Sequence, residues 1–509
     1  GNYSTYLEGN ITYDQRFGNH SVSALLLYNQ RNYDDGDQVP YRTQGFAGRA
    51  AYTYADRYIA EFNFGYNGSE NFAKGNRFGF FPSIAAGWIV SEEEFMRPVQ
   101  NYINKLKLRA SYGLAGNDRF YNDDGSQKRF AYITTIGTTD GYKWGNSNAF
   151  YDKGGLREGD PGVESLTWET VKKANVGIEL GLFKMAELQV DFFHERREDI
   201  FMQRKNIPSS AGFPSAPWAN YGIVTNKGFD ISLDLNKQIN KDWFISARAS
   251  VTYAKNKIIE QDEDLGVLGT YRSSTGKPVG QIFGLVNDGL YTEADFEDVT
   301  TGKLKPGLPV PKFSDRVYPG DIKYVDFNGD GEITETDKTA IGGTVNPELV
   351  YGFGINLSYK NIDFGAFFQG NGRTYRIIGE NQKNFLPGST IGAEGNIFTN
   401  ASDAWTVDNP SQDVFYPRLH MGYNANNAQV SDWWLKDMSM LRLKNVELGY
   451  SFSKNLIKKA AMEYARIFVR GTNLLQFSKF DLWDPELNTS NGLKYPIMAT
   501  YSIGLQVRF

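Results

Sequence analysis

One segment of the chain carries oxygen donors at the spacing of a calcium-binding loop. Residues 326–337 read DFNGDGEITETD, which places side-chain oxygens at positions 1, 3, 5 and 12 of a loop and glycine at position 6, where a sharp turn is needed. The seventh residue of such a loop contributes its backbone carbonyl. The pattern predicts a structural Ca2+ site formed by Asp326, Asn328, Asp330, Glu332 and Asp337.

The last position of this loop departs from the EF-hand pattern. Asp337 stands where an EF-hand has the longer glutamate, and in this respect the loop resembles dockerin-type loops. The alternative is a solvated acidic turn that binds no metal. Neither interpretation implies catalysis. A bound ion would have a structural role, because it would hold the loop together.

The other reactive residue types form no catalytic pattern. The chain has no cysteine, which excludes disulfides, thiolate zinc sites and cysteine nucleophiles. Its three histidines, His20, His194 and His420, lie far apart and are expected at surfaces or interfaces. We find neither a nucleophile elbow nor paired carboxylates in a hydrolase context, so the sequence predicts a protein that is not an enzyme. A net charge of −5 without a basic stripe speaks against a nucleic-acid partner.

Aromatic residues make up 15% of the chain, a content that suits aromatic belts at membrane interfaces. Four of them lie in long connections and are candidate contacts for a substrate or a lid protein: Trp144, Trp218, Trp405 and Tyr416. The alternative is that these rings pack one loop against another.

Long stretches of the chain alternate between apolar and polar residues with period two. The last segment, 497–509, has apolar residues at every odd position and small or polar residues between them from Thr500 onward. Segments 229–235 and 243–253 alternate in the same way and are joined by a short polar turn, which predicts a hairpin. Between Leu443 and Val446 the apolar parity changes, and a β-bulge near Lys444 and Asn445 would restore one consistent face.

The connections between these segments alternate strictly between short and long. Short ones fall near 17–19, 54–56, 183–184, 237–242 and 359–361. Long ones fall near 31–41, 66–77, 117–168, 201–218, 256–346, 372–436 and 476–494. Two larger links on the short side, 92–104 and 453–463, have helical spacing and predict small periplasmic helices. Outer-membrane barrels have short periplasmic turns and long external loops.

These features predict an all-β fold, a transmembrane antiparallel β-barrel in the outer membrane with about 15 strands in this chain. A soluble sandwich also alternates, but it has no reason to place every long loop at one end. Outer-membrane lipid is therefore an expected partner. The terminal Phe509 is expected to be the signal that the barrel-assembly machinery engages, or else a residue of the interface belt.

Several strings, in order and spacing, resemble the SusC-like family of Bacteroidota TonB-dependent transporters across nearly the whole chain. They comprise SEEEFM at 91–96, LKLRASYG at 106–113, LTWE at 166–169, NVG at 175–177, NYG at 220–222, NKGF at 226–229, YPGDIKYVD at 318–326, LKD at 435–437, LRLKN at 441–445, LGY at 448–450 and DPE at 484–486.

The resemblance implies a 22-stranded barrel, of which residues 1–509 would supply the C-terminal part. It also implies an N-terminal plug, a TonB box through which TonB energises transport, and a SusD-like lipoprotein as lid. The plug and the TonB box are absent from this sequence. The segment 256–346, which includes the acidic loop, is expected to be one long extracellular loop.

The function expected from the resemblance is active import of a nutrient across the outer membrane, with glycans or oligosaccharides first and peptides second. Loops 117–168, 256–346 and 372–436 are expected to form the extracellular rim on which the SusD-like lipoprotein docks. The alternative is a non-transporting SusC-like scaffold subunit of a larger outer-membrane complex. A siderophore or cobalamin receptor is a third possibility, which the SusC-type strings weaken.

Overall fold

The computed structural model describes residues 2–34, 36, 39–122, 125–146, 149–379, 386, 399–458 and 461–509. Long strands dominate it. Fifteen of them form one antiparallel sheet: β1 Tyr3–Phe17, β2 His20–Asp34, β3 Tyr41–Tyr54, β4 Tyr58–Ser69, β5 Phe78–Ile89, β6 Ile103–Asn117, β7 Glu169–Leu182, β8 Ala186–Gln203, β9 Trp218–Gln238, β10 Trp243–Glu260, β11 Leu349–Tyr359, β12 Ile362–Gly372, β13 Met440–Ser451, β14 Tyr464–Ser478 and β15 Thr500–Arg508.

Shorter elements occupy the connections. Two-stranded pairings in the loops involve Phe120–Tyr121 with Gln127–Lys128, Ile136–Asn146 with Ala149–Glu158, Gln281–Gly284 with Thr339–Thr344, Asn287–Leu290 with Ile322–Tyr324, Phe296–Asp298 with Lys303–Leu304, Val310–Pro311 with Glu332–Ile333, and Tyr375–Ile377 with Leu435–Asp437. The α-helix is Lys454–Ile457, and 3-10 turns span Val90–Glu92, Glu94–Val99, Ser209–Ala211, Glu293–Asp295, Glu335–Asp337, Thr399–Ser402 and Pro485–Leu487. No helix in the described ranges is both long enough and apolar enough to span a membrane.

The sheet follows the order of the chain, so each long strand pairs with the one before it and the one after it. Among the described residues, β1 pairs on one side only, with β2, and β15 pairs on one side only, with β14. The chain divides into two compact units, residues 1–235 with 254–268, and residues 236–253 with 269–509. The predicted all-β antiparallel sheet of about 15 strands is confirmed.

Short links and long loops alternate as the sequence predicts. The link between β1 and β2 is two residues long, whereas the one between β6 and β7 runs from 118 to 168. The predicted helices in the two larger short-side links are present, although the first consists of 3-10 turns, Val90–Glu92 and Glu94–Val99. Pro98 lies inside the second turn, where its missing N–H disfavours a regular α-helix.

The register of the last two strands shows which side chains share a face. Ile503 pairs with Val469 and Leu505 pairs with Ile467, whereas Gln506 pairs with Arg466. Because directly paired residues point to the same side of a sheet, one face is apolar and the other is polar, which confirms the predicted parity. We call these the membrane face and the wet face.

Two details of this region test the sequence prediction. The predicted bulge is present: Leu443 pairs with Phe368 and Asn445 with Phe367, so Lys444 is the extra residue. The last strand begins at Thr500 and not at Ile497. The residue pairing stops there because Asn473, next to the partner of Thr500, adopts a left-handed conformation with φ 56° and turns β14 out of register.

Each unit has a separate cluster of buried apolar side chains, formed mainly by its long loops. In the first unit it consists of Phe72, Phe120, Ala131, Leu166, Trp168 and Phe201. In the second unit the largest cluster includes Leu285, Ile322, Tyr324, Ile333, Ile378, Trp405, Tyr416 and Trp434. The long loops are therefore packed structures with interiors of their own. A loop that only connects two strands does not need such an interior.

We expect arginine at position 503 to destabilise the protein by about 2 to 4 kcal/mol, because the middle of β15 faces lipid on this side. Tyr501 is the second residue of β15 and lies beside the long connection. Tyr501→Arg should therefore lower the free energy of unfolding by less than Ile503→Arg. Ser502→Arg on the wet face is the matched control and should be tolerated. Urea unfolding of the full-length protein in lipid vesicles measures the three free energies, and equal costs for Ile503→Arg and Ser502→Arg would contradict the assignment of faces.

Candidate functional site

The wet face of the first unit carries a connected set of charged side chains. Arg109 on β6 donates to Asp191 on β8 at 2.6 Å and lies 3.4 Å from Glu179 on β7. Lys105 also pairs with Glu179, at 3.0 Å. Gly177 is in register with Arg109, and a side chain there would come within 2.6 Å of the Asp191 Oδ1 atom and 2.9 Å of the Arg109 Cζ atom. The glycine therefore makes room for the ion pair.

The second unit repeats this arrangement with other residues. Arg466 on β14 bonds Asp363 on β12 through two nitrogens and donates to Glu447 on β13 at 2.6 Å. Gly449 lies beside the guanidinium, and a side chain there would come within 2.7 Å of the Arg466 Cζ atom. The glycines of the strings NVG at 175–177 and LGY at 448–450 thus have the same physical role. Sequence reasoning noted the strings but missed the ion pairs that explain them.

A polar pocket of about 380 Å³ lies at the long-loop end of β2 to β5 in the first unit. Its lining includes Arg31, Arg42 and Arg77, with Glu70 as the acidic residue. Beside it, the nearly buried Arg129 donates to Glu70 at 2.5 Å. Three guanidinium groups against one carboxylate suit a carboxylate or another anionic group. No local pattern predicts this pocket, because its residues come from four strands and the loops beside them.

The acidic loop 326–337 is described in full and belongs to the second unit, in the connection 261–348 between β10 and β11. Both carboxylate oxygens of Asp326 accept backbone N–H groups, from Gly329 at 2.6 Å and from Gly331 at 2.8 Å. Asp330 accepts from the Asn328 amide at 2.8 Å. The oxygens of the first three predicted ligands therefore stay on one tight turn, and their chemistry is the one that Ca2+ prefers.

Asp337, the fifth predicted ligand, has a different environment. It is fully buried, and its oxygens accept the N–H groups of Phe327 at 2.9 Å and Thr334 at 2.8 Å. Within the described ranges, no three histidine or carboxylate side chains converge closely enough to hold a metal ion. The side chain of Glu332 pairs with Lys312 at 2.9 Å. The Asp337 carboxylate thus closes the loop by accepting hydrogen bonds from the backbone N–H groups of Phe327 and Thr334.

Two of the four predicted contact aromatics belong to the first unit. Trp144 lies on the strand Ile136–Asn146 and is exposed, with 48% of its surface accessible. Trp218 begins β9 and stacks on Phe201 with ring centroids 4.6 Å apart, while the Lys128 ammonium lies 5.0 Å from its ring. Trp144 therefore has the exposure that a substrate or lid contact needs, and Trp218 packs against the buried cluster of this unit.

The other two aromatics, Trp405 and Tyr416, are buried in the loop cluster of the second unit. Their backbones pair with each other, since Trp405 donates to the Tyr416 carbonyl at 3.0 Å. Burial raises the pKa of the Tyr416 hydroxyl to about 12. In this structure they pack loop against loop, which is the alternative that the sequence left open.

A buried polar centre, missed by sequence reasoning, joins two segments of the second unit. Asp321 is fully buried and accepts from the Asn427 amide at 2.8 Å and from the Tyr318 N–H at 2.9 Å. The Nε2 atom of His420 lies 2.5 Å from the same carboxylate, and the side chain of this histidine is 18% exposed. Gly320, with φ 92°, allows the backbone to approach the Trp405 ring. The string YPGD at 318–321 is thereby explained.

The terminal Phe509 follows β15 directly and is 82% exposed. It continues the odd-numbered membrane face of Ile503 and Leu505. Both expected roles, the assembly signal and the interface belt, are compatible with this position.

Comparison with known proteins finds relatives that are all TonB-dependent receptors. The chain is 30% identical to the TonB-dependent receptor P26 of Formosa agariphila over 94% of its own length and 47% of that relative. It is 27% identical to the TonB-dependent receptor P3 of the same organism over 99% of its length and 52% of the relative. It is also 25% identical to the TonB-dependent receptor SusC of Bacteroides thetaiotaomicron over 93% of its length and 45% of the relative. No family model matches the chain.

Among solved structures, the RagAB peptide transporter superposes with a TM-score of 0.74 at 22% identity, over 99% of this chain and 55% of that one. This likeness shows the shared fold. The chain spans about half the length of the curated relatives it matches. The sequence resemblance and the barrel fold in the outer membrane are thus confirmed.

We expect Gly177→Ala to separate Arg109 from Asp191 and to destabilise the protein by about 1 to 3 kcal/mol, the range for overpacking. Gly87 provides a matched control, because it is also in register with Arg109 but an added Cβ would meet nothing nearer than 3.5 Å. Urea unfolding of the full-length protein in lipid vesicles compares the two variants. Equal stability of Gly177→Ala and Gly87→Ala would refute the proposed role of Gly177.

Proposed function

We propose, from the premise that this chain belongs with the SusC-like TonB-dependent receptors of the outer membrane, that it forms the C-terminal barrel wall of a nutrient importer. The observation that carries the proposal is the match to such receptors over 93% to 99% of the chain. The wet face supports it, because fixed charges such as Arg109 and Arg466 suit a water-filled path for polar cargo.

The energy for import would come from TonB acting on an N-terminal plug. This chain spans about half of its curated relatives, so the plug and the remaining strands would belong to the other half. The singly paired strands β1 and β15 support this division, since unpaired backbone groups in lipid cost several kcal/mol each. We propose that further strands cover both edges, and that Phe509 is recognised when the barrel is assembled.

The cargo class follows from the relatives and from the pocket. Peptides fit best, because the three arginines of the pocket suit carboxylate groups and the RagAB structure is described as a peptide transporter. Glycans remain the other cargo class, and Trp144 offers an exposed ring of the kind that stacks on sugars. Competition for uptake between a peptide mixture and neutral oligosaccharides separates the two classes.

A SusD-like lipoprotein would cover the extracellular loops. The loops of the second unit have packed interiors, yet they also expose large apolar side chains, among them Met421 at 94%, Leu493 at 72% and Tyr495 at 83%. Exposed apolar groups on an ordered loop surface are typical of protein interfaces. The structure describes most of the predicted rim 117–168, 256–346 and 372–436, and residues 123–124, 147–148, 380–385 and 387–398 lie outside the described residues.

We expect the tagged full-length protein, extracted in mild detergent, to bring down a surface lipoprotein. Met421→Lys together with Leu493→Lys should reduce the captured lipoprotein at least about tenfold, because a charge in an interface core is costly. Phe95→Lys is the control, since Phe95 is 64% exposed in a short-side link.

The amount of captured lipoprotein is interpreted together with a measurement of nutrient uptake by the same variants. If no lipoprotein is captured and uptake is absent, the protein is a scaffold subunit and not an importer. If capture is equal for the double variant and for Phe95→Lys, the lid does not dock on this surface.

We also propose that Ca2+ binds the loop 326–337 through Asp326, Asn328, Asp330 and the carbonyl of Glu332. The donor chemistry and the turn that holds these oxygens support it. The ion would neutralise neighbouring carboxylates and stiffen the connection 261–348. Asp337 completes the cage only by exchanging its amide contacts for the ion.

We expect Ca2+ to protect the connection 261–348 of the full-length protein from limited proteolysis, and EDTA to remove the protection. Asp326→Asn and Asp330→Asn should abolish the response to Ca2+. Asp337→Asn should make the loop sensitive with or without Ca2+, because it breaks the amide contacts as well. Asp315→Asn, in the same loop but outside the motif, is the control. A wild-type protein cleaved at the same rate with and without Ca2+ would overturn the site and leave an acidic turn.

A further inference from the structure

A second cavity, also of about 380 Å³, adjoins the polar pocket of the first unit, and Arg31 and Arg42 line both. Arg31, Thr43 and Ser69 belong to its lining and are in register across β2, β3 and β4. Thr43 and Arg49 are an even number of positions apart on β3, so they point to the same face, where Arg49 forms an ion pair with a glutamate of β4. The second cavity therefore lies on the wet face, along the path proposed for cargo.

Contacts within the chain fix one wall of the second cavity. Glu70 belongs to the lining, and Arg129 donates to its carboxylate at 2.5 Å. Arg129 also donates to the Val39 carbonyl at 2.6 Å, and its guanidinium group lies 3.7 Å from the centre of the Tyr41 ring. The charge of Glu70 is thus neutralised by a neighbouring side chain and is not available to a ligand.

The remaining charges of the lining are mainly cationic. Arg31, Arg42 and Arg119 are exposed, and none of them has an acidic partner in the part of the chain that the structure describes. The Arg31 guanidinium lies 5.7 Å from the centre of the Tyr33 ring, which orients it without neutralising its charge. The carboxylate of Asp118 also belongs to the lining and is likewise without a cation among the described residues.

A buried acceptor in the lining also lacks a donor. Asn71 is 6% exposed, and its side-chain amide is held in place because its Nδ2 atom donates to the Asp118 carbonyl at 3.0 Å. Its Oδ1 atom accepts no hydrogen bond within the described ranges. A buried acceptor without a donor is unfavourable, so a donor supplied from the cavity would remove this cost.

These groups select for a ligand of mixed character. A guanidinium group binds a carboxylate through two parallel hydrogen bonds, whereas the oxygens of Asp118 and Asn71 accept N–H groups. The C-terminal residue of a peptide carries a carboxylate and an N–H group on the same Cα atom. A neutral sugar lacks the charge, and a simple inorganic anion lacks the N–H group. Among these three, the end of a peptide is the ligand that matches both halves of the lining.

We infer that the second cavity binds the free C-terminal end of a peptide, with the carboxylate on Arg31, Arg42 and Arg119 and the last N–H group on Asp118 and Asn71. This inference rests on the proposed import of peptides and names the part of the cargo that the barrel wall recognises. Capture of a chain end by fixed polar groups is a known mode of peptide recognition.

The test uses trialanine, its C-terminal amide and its N-acetyl derivative, with the full-length protein in detergent and isothermal titration calorimetry. The wild-type protein should bind trialanine at least about tenfold more tightly than the amide, because the amide cannot form charge-assisted bonds with arginine. N-acetyl-trialanine should bind as tightly as trialanine, since its carboxylate is free.

Two double variants identify the residues. Arg31→Gln with Arg119→Gln should abolish the preference for trialanine over its amide and leave the affinity for the amide unchanged, which a misfolded protein would not do. Lys153→Gln with Arg157→Gln is the matched control, because it removes two exposed positive charges from a loop strand outside the cavity lining. This control should keep the full preference.

Several outcomes would overturn the inference. Trialanine that does not bind, or binds no better than its amide, would exclude a C-terminal site. A preference that survives in the Arg31→Gln and Arg119→Gln variant would place the site elsewhere. Acetate that binds as tightly as trialanine would show a site for small anions only. Uptake is measured separately: a wild-type protein with the preference but without uptake would contradict the import function and not this site.

The opposite result is also distinguishable. Uptake and lipoprotein capture that persist in a protein without the preference would leave the importer proposal standing and remove the C-terminal site.

Discussion

Every long strand of this protein meets two solvents, and that constraint organises the rest of the structure. A strand has period two, so one set of side chains must suit lipid and the other must suit water. The membrane face is met by residues such as Ile503 and Leu505, whose partners across β14 are also apolar. The wet face carries guanidinium groups that bridge carboxylates from two neighbouring strands, and glycines such as Gly177 and Gly449 leave the space that these bridges fill. Side-chain volume on one strand is thus set by ion pairing on the next.

The loops obey a different constraint, because they lie outside the lipid and have to bury apolar surface by themselves. In the second unit they do so around Asp321, whose carboxylate binds Asn427 and His420 from a segment about a hundred residues away in the chain. A buried carboxylate is costly unless hydrogen bonds satisfy it, and this one has donors from side chains and from backbone. The centre therefore specifies one pairing of loop segments, which presents a fixed surface to any partner.

Local patterns allowed the strands to be predicted, and non-local contacts explain what was missed. The parity of 441–452 was enough to predict the bulge at Lys444. One extra residue in a strand moves all later side chains to the opposite face, so a bulge accounts for the change of parity. The start of β15 was misplaced, since Ile497 and Met498 continue the alternation although Asn473 on the neighbouring strand ends the pairing. Trp405 and Tyr416 are aromatic residues in a polar stretch. No feature of the neighbouring sequence distinguishes a buried ring from an exposed ring that binds a ligand. The partner of His420 lies on a different loop segment, so spacing between histidines carried no information about it.

The cations of the wet face act within the wall. On this face, Arg109 and Arg466 each contact two carboxylates, so their charge is neutralised within the wall and their main effect is to fix the strands in register. In both cases a glycine on the middle strand, Gly177 or Gly449, leaves the space that the guanidinium group fills. One arginine therefore couples three consecutive strands, and this coupling depends on the absence of a side chain at one position of the strand between them.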